Sequence, residues 1–282
     1  MEIKASDVKA LREKTGAGMM ECKNALVACE GDFAKAEKYL KEKGLAAVEK
    51  RSDRATNEGK VFIKIANNRA VLVELASETD FVARNPDFVA LGNKIAEIAL
   101  EKGYTEPNDE LISMVTDLAT KIRENMGLKR LKTVDATSNE YLTSYIHGDG
   151  LIGVVVKLAA DKPEALQDER VKTFAFDVAL HIAAFNPYAL DRSKVDPAHL
   201  AEQEEIFRKR MEQDEKMKGK PANVVENILK GKVNKYLSEI CLLDQGFVKD
   251  EKLSVAKVAE DLGKQVGATI SIADYVYFRV GQ

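Results

Sequence analysis

The sequence has no excess of basic residues, and this absence limits its function first. Lys and Arg total 43 against 46 Asp and Glu, which gives a formal net charge of −3. Proteins that bind nucleic acid through its phosphates normally carry a basic excess or a basic stripe. The densest basic run, Lys50-Arg51 with Arg54, is interrupted by polar and acidic residues. We therefore expect no direct nucleic-acid partner.

Long apolar runs and paired cysteines are also missing. No run approaches the roughly 18 apolar residues of a membrane span, and the first residues do not resemble a signal peptide. The three cysteines, Cys22, Cys29 and Cys241, are an odd number and lack C-x-x-C spacing, so that neither a disulfide framework nor a zinc site is indicated. Cys22 and Cys29 lie seven residues apart and are expected in a helix core. These features predict a cytoplasmic protein with no membrane partner, metal or cofactor.

Catalytic patterns are absent as well. The histidines, His147, His181 and His199, are scattered, and no zinc-protease, nucleophile-elbow or phosphate-loop motif occurs. Glu78 and Asp80 form a carboxylate pair without a further partner, and Cys22 has no histidine in its own module. Binding is therefore favoured over catalysis.

Length and composition indicate several compact units. With 282 residues and 45% hydrophobic content, the chain is expected to form two or three domains. Residues 1–55 are predicted to be a three-helix docking module with a linker. Breaks are expected at Gly16-Ala17-Gly18 and Glu30-Gly31-Asp32, with Asp32 as a helix cap and Gly44 as the final stop. Residues 45–60 lack apolar periodicity and read as the linker.

Two hairpin signals organise the rest of the chain into an α+β fold with antiparallel sheets. Asn67-Asn68 and Gly148-Asp149-Gly150 each separate two strand-like segments, and a helical pattern follows each pair. The predicted order repeats, which suggests two related α+β subdomains, residues 56–138 and 139–282. The predicted elements of the first are strands 61–65, 70–75 and 128–134 and helices 86–101 and 108–126. Those of the second are strands 141–147, 151–158 and 275–280 and helices 169–185 and 254–262.

Residues 196–240 break the repeat with two apolar stripes separated by Gly219-Lys220-Pro221. This pattern predicts an inserted antiparallel helical hairpin. An arm of this kind is typical of an interaction device, although packing against the body of the protein is the alternative.

The segment Thr79-Asp80-Phe81-Val82-Ala83 is a candidate contact site. It connects a strong strand to a helix that starts at Asn85-Pro86, an N-cap residue followed by proline. Such a connector presents side chains on a rigid support. The alternative is that Phe81 folds back onto the helix that follows it.

Several strings together resemble the elongation factor Ts family of bacteria, in order and spacing, over essentially the whole chain. The strings are LREKTGAGMMECKNAL from Leu11 to Leu26, Thr79-Asp80-Phe81, Tyr145-Ile146-His147-Gly148, Gly219-Lys220-Pro221, and Leu242-Leu243-Asp244-Gln245. The resemblance implies a UBA-like N-terminal module, two related core halves and a coiled-coil arm. It also implies a guanine-nucleotide exchange factor that binds elongation factor Tu, promotes GDP release and is displaced when GTP binds.

The resemblance also assigns partner-binding residues. They are Thr79, Asp80, Phe81, Val82, Ile122 and His147 in the core, with Val8, Lys9, Thr15, Met19, Met20 and Lys23 in the N-terminal module. Arg123 stands where the family commonly has glycine, Glu21 where aspartate is common, and Gly246 where proline is common. Arg123 puts close backbone approach at that point in question.

Two other classes stay open on sequence grounds. One is a small enzyme acting through Asp80 and His147, and the other is a scaffold whose N-terminal module docks a short peptide. Whether two copies associate, or form a 2:2 assembly with the partner, is also open.

Overall fold

The computed structural model describes residues 3–217 and 219–282. Over these ranges the chain forms α-helices, two three-stranded antiparallel sheets and a small two-stranded sheet. The helices are α1 (Ala5–Thr15), α2 (Met19–Ala28), α3 (Phe33–Glu49), α4 (Asp80–Ala83), α5 (Pro86–Lys102), α6 (Asp109–Ile122), α7 (Glu169–Phe185), α8 (Pro197–Gln213), α9 (Ala222–Ile240) and α10 (Val255–Val266). The strands are β1 (Glu58–Ala66), β2 (Arg69–Ser77), β3 (Met126–Asp135), β4 (Glu140–His147), β5 (Ile152–Ala160), β6 (Gly246–Phe247), β7 (Asp250–Ser254) and β8 (Ile270–Arg279). The α+β prediction is confirmed.

Helices α1 to α3 form the N-terminal module around a small core of Val8, Leu11, Cys22, Ala25, Leu26, Ala36 and Leu40. Asp32 caps α3 as predicted, because its carboxylate accepts a hydrogen bond from the Lys35 backbone N–H at 3.0 Å. Gly16 ends α1 in the left-handed region, at φ 68°, a conformation that glycine adopts without a steric penalty.

The predicted helix stop at Gly44 is wrong. Helix α3 continues to Glu49, and a Cβ at Gly44 would lie 2.3 Å from Thr120 Cγ2 on α6. The glycine therefore allows α3 to approach α6 closely, and it does not end the helix. The predicted linker shrinks accordingly to the segment between α3 and β1.

The first core half is a sheet in the order β1-β2-β3 with α5 and α6 packed on one face. Its core includes Val71, Val73, Leu75, Phe88 and Ile95. The Asn67-Asn68 turn is confirmed, with both residues at positive φ. Helix α6 ends at Ile122, four residues before the predicted Met126, because Arg123 adopts the left-handed conformation and Met126 already pairs with Ser77 in the sheet.

The second core half is a sheet in the order β4-β5-β8, with α7 and α10 against it. Its core includes Val154, Leu158, Phe174, Val178 and Ile182. The predicted hairpin around Gly148-Asp149-Gly150 and the predicted helix 169–185 are confirmed. The short β6-β7 pair was missed, because it contains only two and five residues.

The two halves share details beyond strand order. Their central strands, β2 and β5, have nine residues each, and both show a register shift after the sixth residue, at Glu74/Leu75 and Lys157/Leu158. Their first long helices, α5 and α7, have 17 residues each. This correspondence supports the proposed duplication.

The two sheets face each other across a second apolar layer that includes Val61, Leu72, Leu142, Val155 and Phe278. Gly153 permits this contact, because a Cβ there would lie 2.4 Å from Val61 Cγ1. The buried Glu74 carboxylate joins the halves. It accepts hydrogen bonds from Arg130 Nε at 2.5 Å and from the Gly281 backbone N–H at 3.1 Å.

Helices α8 and α9 form the predicted hairpin, and of their residues only Met211, Leu229 and Leu237 are buried. The base of this arm is fixed by a cluster of Ala189, Val195, Leu237 and Cys241. None of the helices in the described ranges is both long enough and apolar enough to cross a bilayer.

A buried histidine connects the arm to the core. His181 on α7 accepts a hydrogen bond at Nδ1 from the Val248 backbone N–H, at 3.1 Å, and its Nε2 lies 2.9 Å from Gln245 Oε1. Gln245 in turn donates to the Glu239 carbonyl at 2.7 Å. Because Nδ1 accepts, the ring is neutral with its proton on Nε2, and burial lowers the pKa of His181.

Candidate partner-binding surface

The connector after β2 is a short helix, α4, with Thr79 as its N-cap. The Thr79 side chain accepts a hydrogen bond from the Val82 backbone N–H at 3.3 Å. The same hydroxyl donates to Glu124 Oε1 at 2.8 Å, and the Thr79 backbone N–H donates to Glu124 Oε2 at 3.1 Å. Thr79 is therefore held by Glu124 on one side and by the first turn of α4 on the other, which fixes the start of this helix.

Helix α4 displays one large apolar side chain. Phe81 is 80% exposed, whereas the next two residues, Val82 and Ala83, are buried in the core of the first half. The alternative that Phe81 folds back onto α5 is therefore wrong. Asp80 forms an ion pair with Arg84, Oδ2 to Nη2 at 3.0 Å. Burial of Val82 and Ala83 anchors the helix, so that Phe81 is presented from a fixed base.

His147 lies at the end of β4 and is exposed. Its Nδ1 is 3.0 Å from the Tyr145 hydroxyl, and the Tyr145 ring meets Phe176 edge-on at 5.7 Å. Ile146 and Leu151 beside it are exposed apolar side chains. This end of the second half is therefore a mixed aromatic and apolar surface.

The turn after His147 rests on the first half near α4. The Val61 backbone N–H donates to the Gly150 carbonyl at 2.8 Å, and Lys60 Nζ lies 2.7 Å from Asp149 Oδ2. The hydrogen bond from Lys60, with a further effect of the Arg84 charge, lowers the pKa of Asp149. Because Arg84 ends α4, the structure brings the Phe81 helix and the His147 turn to the same end of the core.

The N-terminal module presents a second apolar surface on α2. Met19 is 43% exposed, Met20 is 65% exposed, and Lys23 beside them is exposed. Val27, at 59% exposure, extends this face by two turns. Val27 is not among the residues predicted from the sequence. Its position seven residues after Met20 was the available signal.

The other assigned residues in this module have different positions. Lys9 is exposed, and Val8 is buried among the module's core residues. Thr15 is partly buried, and its hydroxyl donates to the Leu11 carbonyl at 2.6 Å. Val8 and Thr15 therefore support the shape of the module, whereas Lys9 reaches its surface.

Ile122 is the last residue of α6 and packs partly against the core of the first half. Arg123 follows at φ 69°, and its side chain forms an ion pair with Glu21 of α2. A hydrogen bond from the Gly18 backbone N–H and the charge of Arg123 lower the pKa of Glu21. The position where the family commonly has glycine thus carries a contact between module and core.

Ionisable side chains are the candidates for holding a metal or cofactor. Within the described ranges, no group of three or more His, Cys, Asp and Glu side chains is placed to hold a metal ion. His147, His181 and His199 have separate partners, namely Tyr145, Gln245 and Tyr236. Asp80 pairs with Arg84, and among the described residues it makes no hydrogen bond or ion pair with any of the three histidines.

The family model and the relatives that match this chain all carry the same family name. Residues 78–282 match the family model described as elongation factor TS. The chain is similar to elongation factor Ts of Treponema denticola, with 53% identity covering 100% of this chain and 99% of the relative. It is also similar to elongation factor Ts of Borrelia recurrentis, with 42% identity and full coverage of both chains. For elongation factor Ts of Bdellovibrio bacteriovorus the identity is 40%, covering 100% of this chain and 93% of the relative.

Proposed function

Because this chain belongs to the elongation factor Ts family, we propose that it is a guanine-nucleotide exchange factor for elongation factor Tu in translation elongation. In this proposal it binds elongation factor Tu with GDP, disturbs the Mg²⁺ and phosphate site of that GTPase, and so promotes GDP release. The observation that carries the proposal is the exposed Phe81 on the anchored helix α4.

Exchange requires a competitor for a different conformation of the GTPase. GDP and Mg²⁺ are held by charge-assisted bonds, which weaken only if the groups that make them move. An apolar ring inserted between helices of the partner can move them, and burying Phe81 would contribute about 2 to 3 kcal/mol. We therefore assign Phe81 the role of a wedge.

The remaining contact residues are assigned supporting roles. Thr79 and Val82 fix α4, Asp80 orients Arg84 at its end, and His147 extends the contact surface from the second half. Met19, Met20, Lys9 and Lys23 provide a separate contact from the N-terminal module. Binding is thus spread over a wide surface, and no covalent chemistry is needed.

A spread contact also fits reversibility. A factor that weakens GDP binding must itself bind less tightly once nucleotide is bound, because the coupling between the two ligands is reciprocal. Rebinding of GTP therefore displaces the factor. A single very tight anchor would slow that displacement, whereas several moderate contacts allow it.

The test is release of fluorescent GDP from elongation factor Tu by stopped flow, with and without this protein, at fixed Mg²⁺. We expect strong, concentration-dependent acceleration that saturates. Formation of a stable complex by gel filtration without any acceleration would show that the protein binds the partner but does not exchange its nucleotide.

A further inference from the structure

Three consecutive residues after α6 contact three separate parts of the molecule. Arg123 forms an ion pair with Glu21 in the N-terminal module, and Glu124 accepts both hydrogen bonds from Thr79 at the start of α4. Asn125 Nδ2 donates to the backbone carbonyls of Ser52 at 3.0 Å and Arg54 at 2.7 Å, in the segment that joins the module to the core.

We propose that the Arg123-Glu124-Asn125 junction fixes the position of the α2 contact face relative to the Phe81 helix, so that both surfaces engage one partner as a preset pair. That both surfaces engage one partner rests on the proposed exchange function. The fixed position of the α2 face relative to the Phe81 helix is a property of the free chain alone.

The geometry carries the inference because both contact helices are held at their first turns. Glu21 lies in the first turn of α2, next to Met19 and Met20, and Thr79 is the N-cap of α4, two residues before Phe81. Their anchors, Arg123 and Glu124, are adjacent residues, whose Cα atoms lie about 3.8 Å apart across a trans peptide bond. A shift at the junction would therefore move both faces.

The backbone at Arg123 supports a specific role for its side chain. Its φ of 69° lies in the left-handed region, where a residue with a Cβ is disfavoured relative to glycine. Arginine at this position gives up some backbone stability and gains the ion pair with Glu21. A cap alone would be formed better by glycine, as Gly267 does at the end of α10.

The junction is also linked to the base of α4 a second time. The Asn125 backbone N–H donates to Glu78 Oε1 at 2.6 Å, and Arg54 pairs with the same Glu78 carboxylate at 3.3 Å. The linker, the junction and the residue before Thr79 thus form a closed set of contacts. Such a set reduces the orientational freedom that binding would otherwise have to remove.

The test is a charge-swap cycle with Glu21→Arg, Arg123→Glu and the double variant. A pulsed electron-resonance measurement between labels at Ala28 on α2 and Glu101 on α5, in a Cys29→Ala background, reports the module position in the free chain. GDP release from elongation factor Tu is measured in parallel. The matched control is reversal of the exposed Lys38 and Glu42 pair, which lies in the same module at 3.9 Å.

We expect each single reversal to broaden the distance distribution and to raise the factor concentration needed for half-maximal GDP release by about 3- to 10-fold, as expected for attraction turned into repulsion. The double variant should improve both readouts clearly over Glu21→Arg alone, without full recovery, because arginine at position 21 cannot accept the Gly18 backbone hydrogen bond. The control should change neither readout. Narrow distributions in both single variants, or a double variant no better than Glu21→Arg, would overturn the inference. If the wild-type protein does not accelerate release, the proposed function fails, and the distance distributions still decide on the junction.

Discussion

The connector after β2 and the connector after β5 occupy equivalent places in the two core halves. Each follows a nine-residue central strand and leads into a 17-residue helix with an Asn or Asp cap, Asn85 or Asp168. In the first half the connector exposes Phe81, whereas in the second half it turns as a 3₁₀ helix and buries Leu166, which is 2% exposed.

This difference shows how a repeated unit acquires a contact site. In both halves the sixth residue after the central strand is buried, Ala83 in the first half and Leu166 in the second. Two residues earlier both connectors are exposed, and there the first half has Phe81 where the second has Glu164. In the second half Leu166 packs with Val171, Phe174 and other core residues. In the first half Val82 and Ala83 take the place in the core, which leaves Phe81 available to a partner.

The largest expected effect comes from the buried Leu166 of the second connector. We predict that Leu166→Ala lowers the free energy of unfolding by about 2 to 4 kcal/mol, because it removes buried apolar atoms and leaves a cavity. Urea denaturation measures this change. Exchange activity per folded molecule should stay within about twofold of wild type, and a larger loss would show that the second connector also contributes to the partner contact.

A second difference between the halves is the acid sensitivity that their histidines predict. The histidines all lie in the second half, and the buried His181 has a pKa lowered by desolvation. Its contribution to stability is fully present above the unfolded pKa of about 6.5 and decreases as the pH falls toward the lowered folded value, with a slope of up to about 1.4 kcal/mol per pH unit.

Hydrogen exchange of the α7 and α5 amides between pH 7.5 and pH 5.5 measures this effect, after correction for the intrinsic rates. We expect protection of α7 to fall more than that of α5. In His181→Gln the extra decrease in α7 should disappear. An equal decrease in both helices of the wild-type protein would assign the acid sensitivity to another group.

The smallest expected effect concerns the residues that cap the C-terminus of the last helix in each half, α6 and α10. Arg123 and Gly267 have nearly the same backbone conformation, at φ 69° and 68°. We predict that Gly267→Arg costs about 1 kcal/mol of stability through its backbone alone, since a Cβ at this position would have no heavy atom within 4 Å.

The reciprocal change sharpens this comparison. Arg123→Gly relieves the same backbone penalty but removes the ion pair with Glu21, whose side chains are 54% and 39% exposed. Such a pair contributes about 0 to 1 kcal/mol. The net change should therefore be within about 0.5 kcal/mol in urea denaturation. A loss of more than about 1.5 kcal/mol would mean that the ion pair stabilises the chain more than an exposed pair does.

Much of this architecture could be predicted from local signals. The turns at Asn67-Asn68 and Gly148-Asp149-Gly150, and the caps at Asp32 and Asn85, depend on residues close in sequence. Local signals failed where contacts between residues distant in sequence determine the structure. Gly44 resembles a helix stop, but glycine is needed there because a Cβ would collide with Thr120, which lies 76 positions later.

The residues of the contact site could be predicted from the sequence, but the distant contacts that hold them in place could not. The family resemblance assigns Phe81 and His147, and nothing in the connector itself indicates that Phe81 faces outward. Helix α4 is fixed by the burial of Val82 and Ala83 and by Glu124, which holds Thr79 from 45 residues away. The contacts of Arg123 with Glu21 are likewise invisible in sequence, because they join the core to a separate module.

The central claim is that Phe81 acts on the partner and not on its own fold. The direct measurement compares Phe81→Ala with wild type in the release of fluorescent GDP from elongation factor Tu, alongside urea denaturation of both proteins. The exposed ring contributes little to folding, so the free energy of unfolding should change by less than about 0.5 kcal/mol. Acceleration of GDP release should fall by about 30- to 150-fold, which corresponds to the roughly 2 to 3 kcal/mol of apolar burial lost at the contact. Wild-type acceleration by a stably folded Phe81→Ala protein would contradict the claim.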